Sequence, residues 1–366
     1  MNFLQQKSLK VGLVVLAVFL GCDDESTKPL LEVPMDNFWE VSAPADQQMD
    51  PQVLEDLRVE IRDMPNVYSF LIVRNGKIVH EQYHSGATMN TLLHLRSITK
   101  RITALLVGIG IDEGYVAGYE EPLTNFFPEI SAATGEGWDA VNLYHLLHMI
   151  SGMDWNEGDD FADYEKHLSE PLSYIFNRDI VHEPGTYFAY NTPSIDLLSI
   201  VIERAFGEEL KKIAEEKLFE PLGIQGYEWQ EISYGVERGG AGLALTARDL
   251  AKIGLLHSQY GHWQSDQLVT NGWMSLCFED ALSFDGIGGD HAAYTSIGNT
   301  WWTREFGGVT VHYADGYGGQ MLMLIPEHDI IIVMNRKYDV GGAENQEAFS
   351  DFFDTVLPGV LESVLD

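Results

Sequence analysis

The chain has 366 residues, 22 of them Lys or Arg and 56 Asp or Glu, for a formal net charge of −34 at pH 7. With 45% hydrophobic and 11% aromatic residues it holds enough apolar material for a packed core, which excludes a disordered chain. So acidic a chain is repelled by nucleic-acid phosphates, which excludes a nucleic-acid partner, and its two cysteines exclude a disulfide framework.

At the N-terminus, Lys7 and Lys10 precede an apolar run from Val11 to Leu20 that ends in Gly21-Cys22. A helix of that length reaches about 15 Å, half of a bilayer core of about 30 Å. Residues 1–21 therefore read as a secretory signal peptide. A Cys directly after a small residue resembles the lipobox of bacterial lipoproteins, although Phe19 and Leu20 stand where Leu and a small residue are usual. That resemblance implies a lipidated Cys22 as the mature N-terminus. It also implies export to the periplasm or cell surface and attachment to a membrane through the lipid. Cys277 is then a lone thiol, expected to be a buried small hydrophobe. Residues 22–50 open on Asp23, Asp24 and Glu25, carry Pro29, Pro34 and Pro44, and show no sustained period, so an acidic tether is expected. No later stretch approaches about 18 uninterrupted apolar residues, so no other membrane span is expected.

Val53, Leu54, Leu57 and Ile61 fall at helical spacing and predict an amphipathic helix over 52–64. In residues 67–84, two β-branched and aromatic runs flank Asn75-Gly76, a strong hairpin pattern. Ile98 to Gly114 reads as a helix, with Ile102, Leu105, Leu106 and Ile109 on one stripe. Helices are further expected over 143–149, 195–205, 208–218 and 246–258, the last with Thr246 as its N-cap. Strand patterns return after about Ser296 and end in the buried-strand run before Asn335, and a last helix is expected over 345–365. Strands at both ends and helices between them predict one antiparallel sheet, α+β in class. Residues 51–115 and 273–366 would form the sheet region and 116–272 an inserted, mainly helical region. No internal repeat is visible.

Chemistry concentrates at the start of the helix after residue 95. Ser97 and Lys100 stand three apart, so their side chains share a face. A Ser hydroxyl needs a base to become a nucleophile, and a Lys of lowered pKa can be that base. The helix N-terminus and Arg101 push Lys100 that way, and the free N–H groups of a helix start suit an oxyanion.

Four ordered stretches, SITKRITALLVGIGIDEGYV, VNLYHLLHMISGMDW, EPGTYFAYNTPSIDLLSIVIE and GGAGLALTARDLAKIG followed by YADGYGGQMLMLIPEHDIIIVMN, resemble one family. It is the serine hydrolases of the class C β-lactamase, D,D-carboxypeptidase and esterase type, near the 6-aminohexanoate-dimer hydrolase branch. The likeness runs from about residue 40 to 340. It implies a β-lactamase-like fold, Ser97 as nucleophile, Lys100 as its partner and Tyr190 as the Tyr that passes protons to the leaving group, a nearby cation favouring its phenolate. Thr192 stands where an amide often contacts substrate, and Tyr317-Gly318-Gly319 where a Lys or His, a small residue and Gly are usual. A phenol offers no fixed charge to a substrate carboxylate, which points to neutral esters or amides rather than β-lactams. Gly318 and Gly319 would let the strand approach substrate, and the N–H groups of Ser97 and Gln320 would form the oxyanion hole. Trp155 is the expected pocket aromatic among Trp155, Tyr187, Trp301, Trp302 and Tyr313.

Other patterns carry less. His145 and His148 share a helix face, but no HExxH or third ligand accompanies them, so no metal or other cofactor is expected. GIGIDEG lies inside a helix rather than in a dinucleotide loop, no GxSxG elbow occurs, and DWNEGDD (154–160) reads as a solvated acidic loop. The sequence thus predicts a lipid-anchored serine hydrolase acting on a small ester or amide, with no obligate protein partner. The alternatives are a β-lactamase or D,D-peptidase acting on cell-wall peptides, and a non-catalytic lipoprotein binding such peptides.

Overall fold

The computed structural model describes residues 30–34, 37–291 and 294–365. The expected signal peptide, Cys22 and the first part of the tether lie outside the described residues.

Strands β1 (Val67–Arg74) and β2 (Lys77–Tyr83) form the predicted hairpin. Asn75 and Gly76 both take positive φ, 51° and 72°, as a two-residue turn of matching twist requires. The sheet resumes some 200 residues later with β3 (Leu282–Ser283), β4 (Ser296–Gly298), β5 (Trp301–Phe306), β6 (Val309–Gly316), β7 (Gln320–Ile325) and β8 (Ile330–Arg336). The order is β2-β1-β8-β7-β6-β5-β4-β3, every pair antiparallel. Strand β1 therefore pairs with β8, Ile72 opposite Ile332, and the two ends of the chain close one sheet. Strands β7 and β8 are buried at every position, so they read as continuous apolar runs instead of alternating ones.

Helices α1 (Pro51–Asp63), α2 (Thr99–Asp112), α3 (Glu157–Tyr164), α4 (Thr192–Phe206), α5 (Ala247–Ser258) and α6 (Gly342–Asp351) surround this sheet. Thr246 caps α5 as predicted, its Oγ1 accepting from Asp249 N at 3.0 Å. Helix α5 lies on the face of Leu322, Leu324 and Ile331, where Gly254 leaves room: a Cβ there would stand 2.8 Å from Ile331 Cγ2. The opposite face receives the C-terminal helical run, with Phe353 against Phe306 and Tyr313. No helix among the described residues is long and apolar enough to cross a membrane.

The tether differs from expectation where it is described. Leu31 O accepts from Leu92 N, Val41 bridges Ile78 on β2, and Trp39 is buried with its Nε1 donating to Arg248 O at 3.0 Å. Phe38 stacks on Trp263 at 4.7 Å. Two aromatic side chains in an otherwise acidic stretch have apolar surface to bury, and this docks residues 30–34 and 37–50 onto the body.

Candidate active site

The turn that carries Ser97 is built by long-range hydrogen bonds. Leu95 N donates to Leu243 O at 2.9 Å, while Thr99 Oγ1 donates to Arg96 O at 2.7 Å and accepts from Leu243 N at 3.2 Å. Arg96 sits at φ 50°, a left-handed conformation that a non-glycine residue adopts at a cost of about 1 kcal/mol or more. One residue later Ser97 stands half-buried in a single 3₁₀ turn, and α2 begins two residues on.

Lys100 is fully buried one helical turn below. Its Nζ donates to Ser97 Oγ at 3.0 Å, Thr192 Oγ1 at 3.1 Å and Gly240 O at 2.7 Å. Burial is the largest influence on the amine and lowers its pKa to about 7. The carboxylates of Glu157 and Asp196 oppose that fall, and Arg101 and Arg238 add to it. The direction agrees with expectation, but the cause is desolvation first, with Arg101 a lesser contributor.

Tyr190 lies across from this amine, Lys100 Nζ being 5.0 Å from the ring centroid. Its backbone is clamped by Met149, whose O accepts from Ala189 N at 3.1 Å and whose Sδ accepts from Asn191 N at 3.4 Å. Asn191 then caps α4, its Oδ1 accepting from Ser194 N at 2.9 Å. The phenol is raised well above its ordinary range by burial, then by the carboxylates of Asp315 and Glu157, while Ser97 and Arg101 pull the other way. The expectation of a phenolate favoured by a nearby cation is thus corrected: two carboxylates and burial hold Tyr190 protonated, as a donor. Trp302 stacks on Tyr190 at 6.0 Å and on Tyr294 at 4.0 Å, and its Nε1 donates to Asp315 Oδ1 at 2.8 Å.

Behind Lys100 is a charged network to which the sequence reading gave no role. Asp196 is fully buried; its Oδ1 accepts from Gly240 N at 2.6 Å, and its Oδ2 from Tyr164 OH at 2.8 Å and Arg238 Nε at 3.3 Å. Gly240 must be glycine here, because a Cβ would meet Thr192 Cγ2 at 2.6 Å.

Thr192 does not face a substrate space. It is buried between Lys100 and Glu157, with its Oγ1 donating to Glu157 Oε1 and its N donating to Oε2 at 3.1 Å. Trp155 is also buried; its Nε1 donates to Glu157 Oε2 at 2.7 Å and Arg178 lies over its ring at 5.0 Å. The stretch expected as a solvated acidic loop is instead the start of α3. Asn156 caps it, and Glu157 turns back into the site.

Tyr317, Gly318 and Gly319 form the turn between β6 and β7, not a strand. Tyr317 is exposed with its OH donating to Val340 O at 3.1 Å, and both glycines take φ 88°. A Cβ on Gly318 would meet Lys337 O at 2.5 Å and one on Gly319 would meet Ala348 Cβ at 2.7 Å, so these glycines serve the turn and its packing. The close approach to the turn before Ser97 belongs to Gly316, where a Cβ would stand 2.4 Å from Leu95 O. Gln320 lies opposite Gly316 in the ladder, fully buried, with its side-chain amide bonded to the backbone of Arg336.

The remaining candidates are structural. His145 Nδ1 accepts from Asn142 N at 3.3 Å, a helix-capping contact, and His148 is buried against Tyr144 O at 2.9 Å. Cys277 is buried and free, and burial pushes its thiol up to about 12. Trp301 packs on His257 and Phe278, and Tyr187 stacks on His182. Among the described residues, no three His, Cys, Asp or Glu side chains gather as a metal site.

An eight-stranded antiparallel sheet closed from both chain ends, with Ser-x-x-Lys at its helical boundary, defines a β-lactamase-like serine hydrolase fold. The chain belongs to the β-lactamase family, whose profile "Beta-lactamase" matches residues 54–349. It is 27% identical over 299 residues to the 6-aminohexanoate-dimer hydrolase of Paenarthrobacter ureafaciens, covering 72% of this chain and 71% of that protein. It is also 27% identical over 179 residues to esterase EstB of Burkholderia gladioli, covering 42% of this chain and 45% of that one. Among solved structures, the octameric penicillin-binding protein homologue of Pyrococcus abyssi superposes with a TM-score of 0.63 at 20% identity, over 87% of this chain and 79% of that one. The protein is an enzyme, a serine hydrolase of the type that works through an acyl-enzyme.

Proposed function

We propose that Ser97 is the nucleophile, Lys100 its base and Tyr190 the proton donor to the leaving group, acting on a small ester or amide. One observation carries this reading: a fully buried Lys100 amine, brought to about 7, stands 3.0 Å from a half-buried Ser97 hydroxyl. Above that value its nitrogen has a lone pair to accept the Ser97 proton as Oγ bonds the substrate carbonyl carbon. The tetrahedral intermediate then collapses as the Tyr190 phenol protonates the leaving group. Lys100 returns its proton to Tyr190, and water cleaves the acyl-enzyme by the same path in reverse. The Ser97 N–H is one oxyanion donor. Gly318 N is taken by Asn345 Oδ1 at 2.6 Å and Gly319 N by Gly316 O at 3.1 Å, so the second donor is assigned to Tyr317 N, next to Gly316, in place of Gln320.

Tyr317 puts a phenol where a Lys or His is usual, which supports neutral esters and amides over β-lactams. The test is intact mass after exposure to a fluorophosphonate. One adduct on wild type and none on Ser97→Ala is expected. A Ser97→Ala protein that still takes the adduct or still turns over esters sinks the assignment, and faster turnover of nitrocefin than of any ester moves the substrate class to β-lactams.

The leader and Cys22 support an exported, lipid-anchored enzyme. Metabolic labelling with a fatty acid is expected to mark the wild-type chain and not Cys22→Ser. Equal label on both would remove the anchor.

A further inference from the structure

The site holds a carboxylate that the acyl-transfer scheme leaves without a task. Glu157 is the first residue of α3, 35 positions before Thr192 in sequence, yet its two oxygens are bound to the start of α4. Oε1 accepts from Thr192 Oγ1; Oε2 accepts from Thr192 N at 3.1 Å and from Trp155 Nε1 at 2.7 Å. Thr192 Oγ1 in turn accepts from Lys100 Nζ at 3.1 Å. Because the hydroxyl proton goes to the carboxylate, the oxygen's lone pairs are turned toward the amine. A carboxylate–hydroxyl–amine relay therefore ends on the base itself.

We propose that Glu157 is a positioning residue for Lys100, acting through Thr192 to aim the amine and to hold a negative charge beside it. The inference rests on the hydrolase reading above. Other acceptors and charges also face Lys100: Asp196 of α4, whose Oδ1 accepts from Gly240 N; Arg238 behind it; Arg101 on the amine's own helix; and Ser97 and Tyr190 on the cleft side. Asp196 reaches the amine through the backbone of Gly240, and Arg238 stands against it. Glu157 reaches it through a side chain that can be cut without touching the backbone. It also faces Tyr190 and helps keep that phenol protonated. One carboxylate thus opposes the desolvation of the base and the ionisation of the acid together. Without it, Asp196 would be the carboxylate left to oppose burial, and Lys100 would be a weaker base.

The sign of the effect separates this role from a merely structural one. A negative charge beside an ammonium favours the ammonium, so its removal lets Lys100 lose its proton at lower pH. The experiment follows the rate at which a fluorophosphonate phosphonylates Ser97, fluoride leaving, against pH, in wild type, Glu157→Gln, Glu157→Asp and Thr192→Val. In wild type the acid limb is expected near pH 7. In Glu157→Gln it should move to lower pH by on the order of one unit, with a lower plateau. Glu157→Asp should bring it back toward wild type, and Thr192→Val should move it in the same direction as Glu157→Gln. A lower plateau with an unmoved limb in Glu157→Gln means structural damage only and overturns the proposal. If Glu157→Gln does not fold, an unmoved limb in Thr192→Val overturns it equally. Wild type that takes no adduct at Ser97 would instead defeat the hydrolase reading, so the two failures are distinguishable.

Discussion

Lys100→Met is expected to lower kcat/KM by about 10³-fold or more, the range for loss of a general base that also activates a nucleophile. Met is similar in length and apolar, so it fills the buried slot without a charge to desolvate. It cannot accept the Ser97 proton, and it leaves Ser97 Oγ, Thr192 Oγ1 and Gly240 O without the donor they share. Stability supplies a second readout with a defined sign. The folded-state pKa of Lys100 is depressed to about 7 from an unfolded value of about 10.5. The unfolded chain therefore binds more protons between those values, and wild-type stability rises with pH across that window. The contribution is fully present above the unfolded value and is lost as pH falls through 10 toward 7. Lys100→Met lacks this slope. Its denaturation midpoint relative to wild type should therefore be higher at pH 7 than at pH 9.5. Wild-type kcat/KM should also climb through an acid limb near pH 7 that the residual activity of Lys100→Met does not show. Parallel stability profiles, or a loss of activity under tenfold, would remove Lys100 as the base.

What the sequence disclosed about this site followed the distance over which each contact acts. Ser97 and Lys100 lie three apart on one helix, so their juxtaposition is a local fact that spacing reveals. The Asn75-Gly76 turn and the Thr246 cap are local in the same sense. Glu157, Asp196, Gly240 and Arg238 were not visible, because each acts through a partner 35 to 140 residues away and leaves no period behind. One local mark was available for Glu157: Asn156 followed by acidic residues is a capped helix start, not a solvated loop. The third motif was read as an approach strand, yet its glycines are turn glycines. Two consecutive glycines at positive φ allow the reversal, and Gly316, just ahead of them, does the approaching. The tether was read from proline and charge, while Phe38 and Trp39 decided its fate through apolar burial. Tyr190 was placed by resemblance, but its protonation depends first on burial and then on the carboxylates of Asp315 and Glu157, which no local spacing ties to it.

The buried network behind Lys100 sets the second large expectation. Arg238 is almost wholly buried, with Nε 3.3 Å from Asp196 Oδ2 and Nη1 2.5 Å from Glu165 Oε1, and its guanidinium lies over the rings of Phe161 and Tyr164. Glu165 is partly exposed and can find water, but Asp196 is fully buried and cannot. Arg238→Met should therefore destabilise the fold by about 3–5 kcal/mol, the usual cost of stranding a charge in the interior. Tyr164 and Gly240 N would still donate to Asp196, which holds the figure within that range instead of above it. The same step should slow catalysis, because Gly240 hangs between Asp196 and Lys100. When the carboxylate moves, the carbonyl that steadies the amine moves with it. Adding Asp196→Asn removes the stranded charge and should return part of the lost stability without returning the activity. A double-mutant cycle of denaturant unfolding then gives a coupling that neither single variant shows. Arg238→Met within about 1 kcal/mol of wild type would mean that Asp196 does not depend on this ion pair, and that Lys100 is braced from the Glu157 side alone.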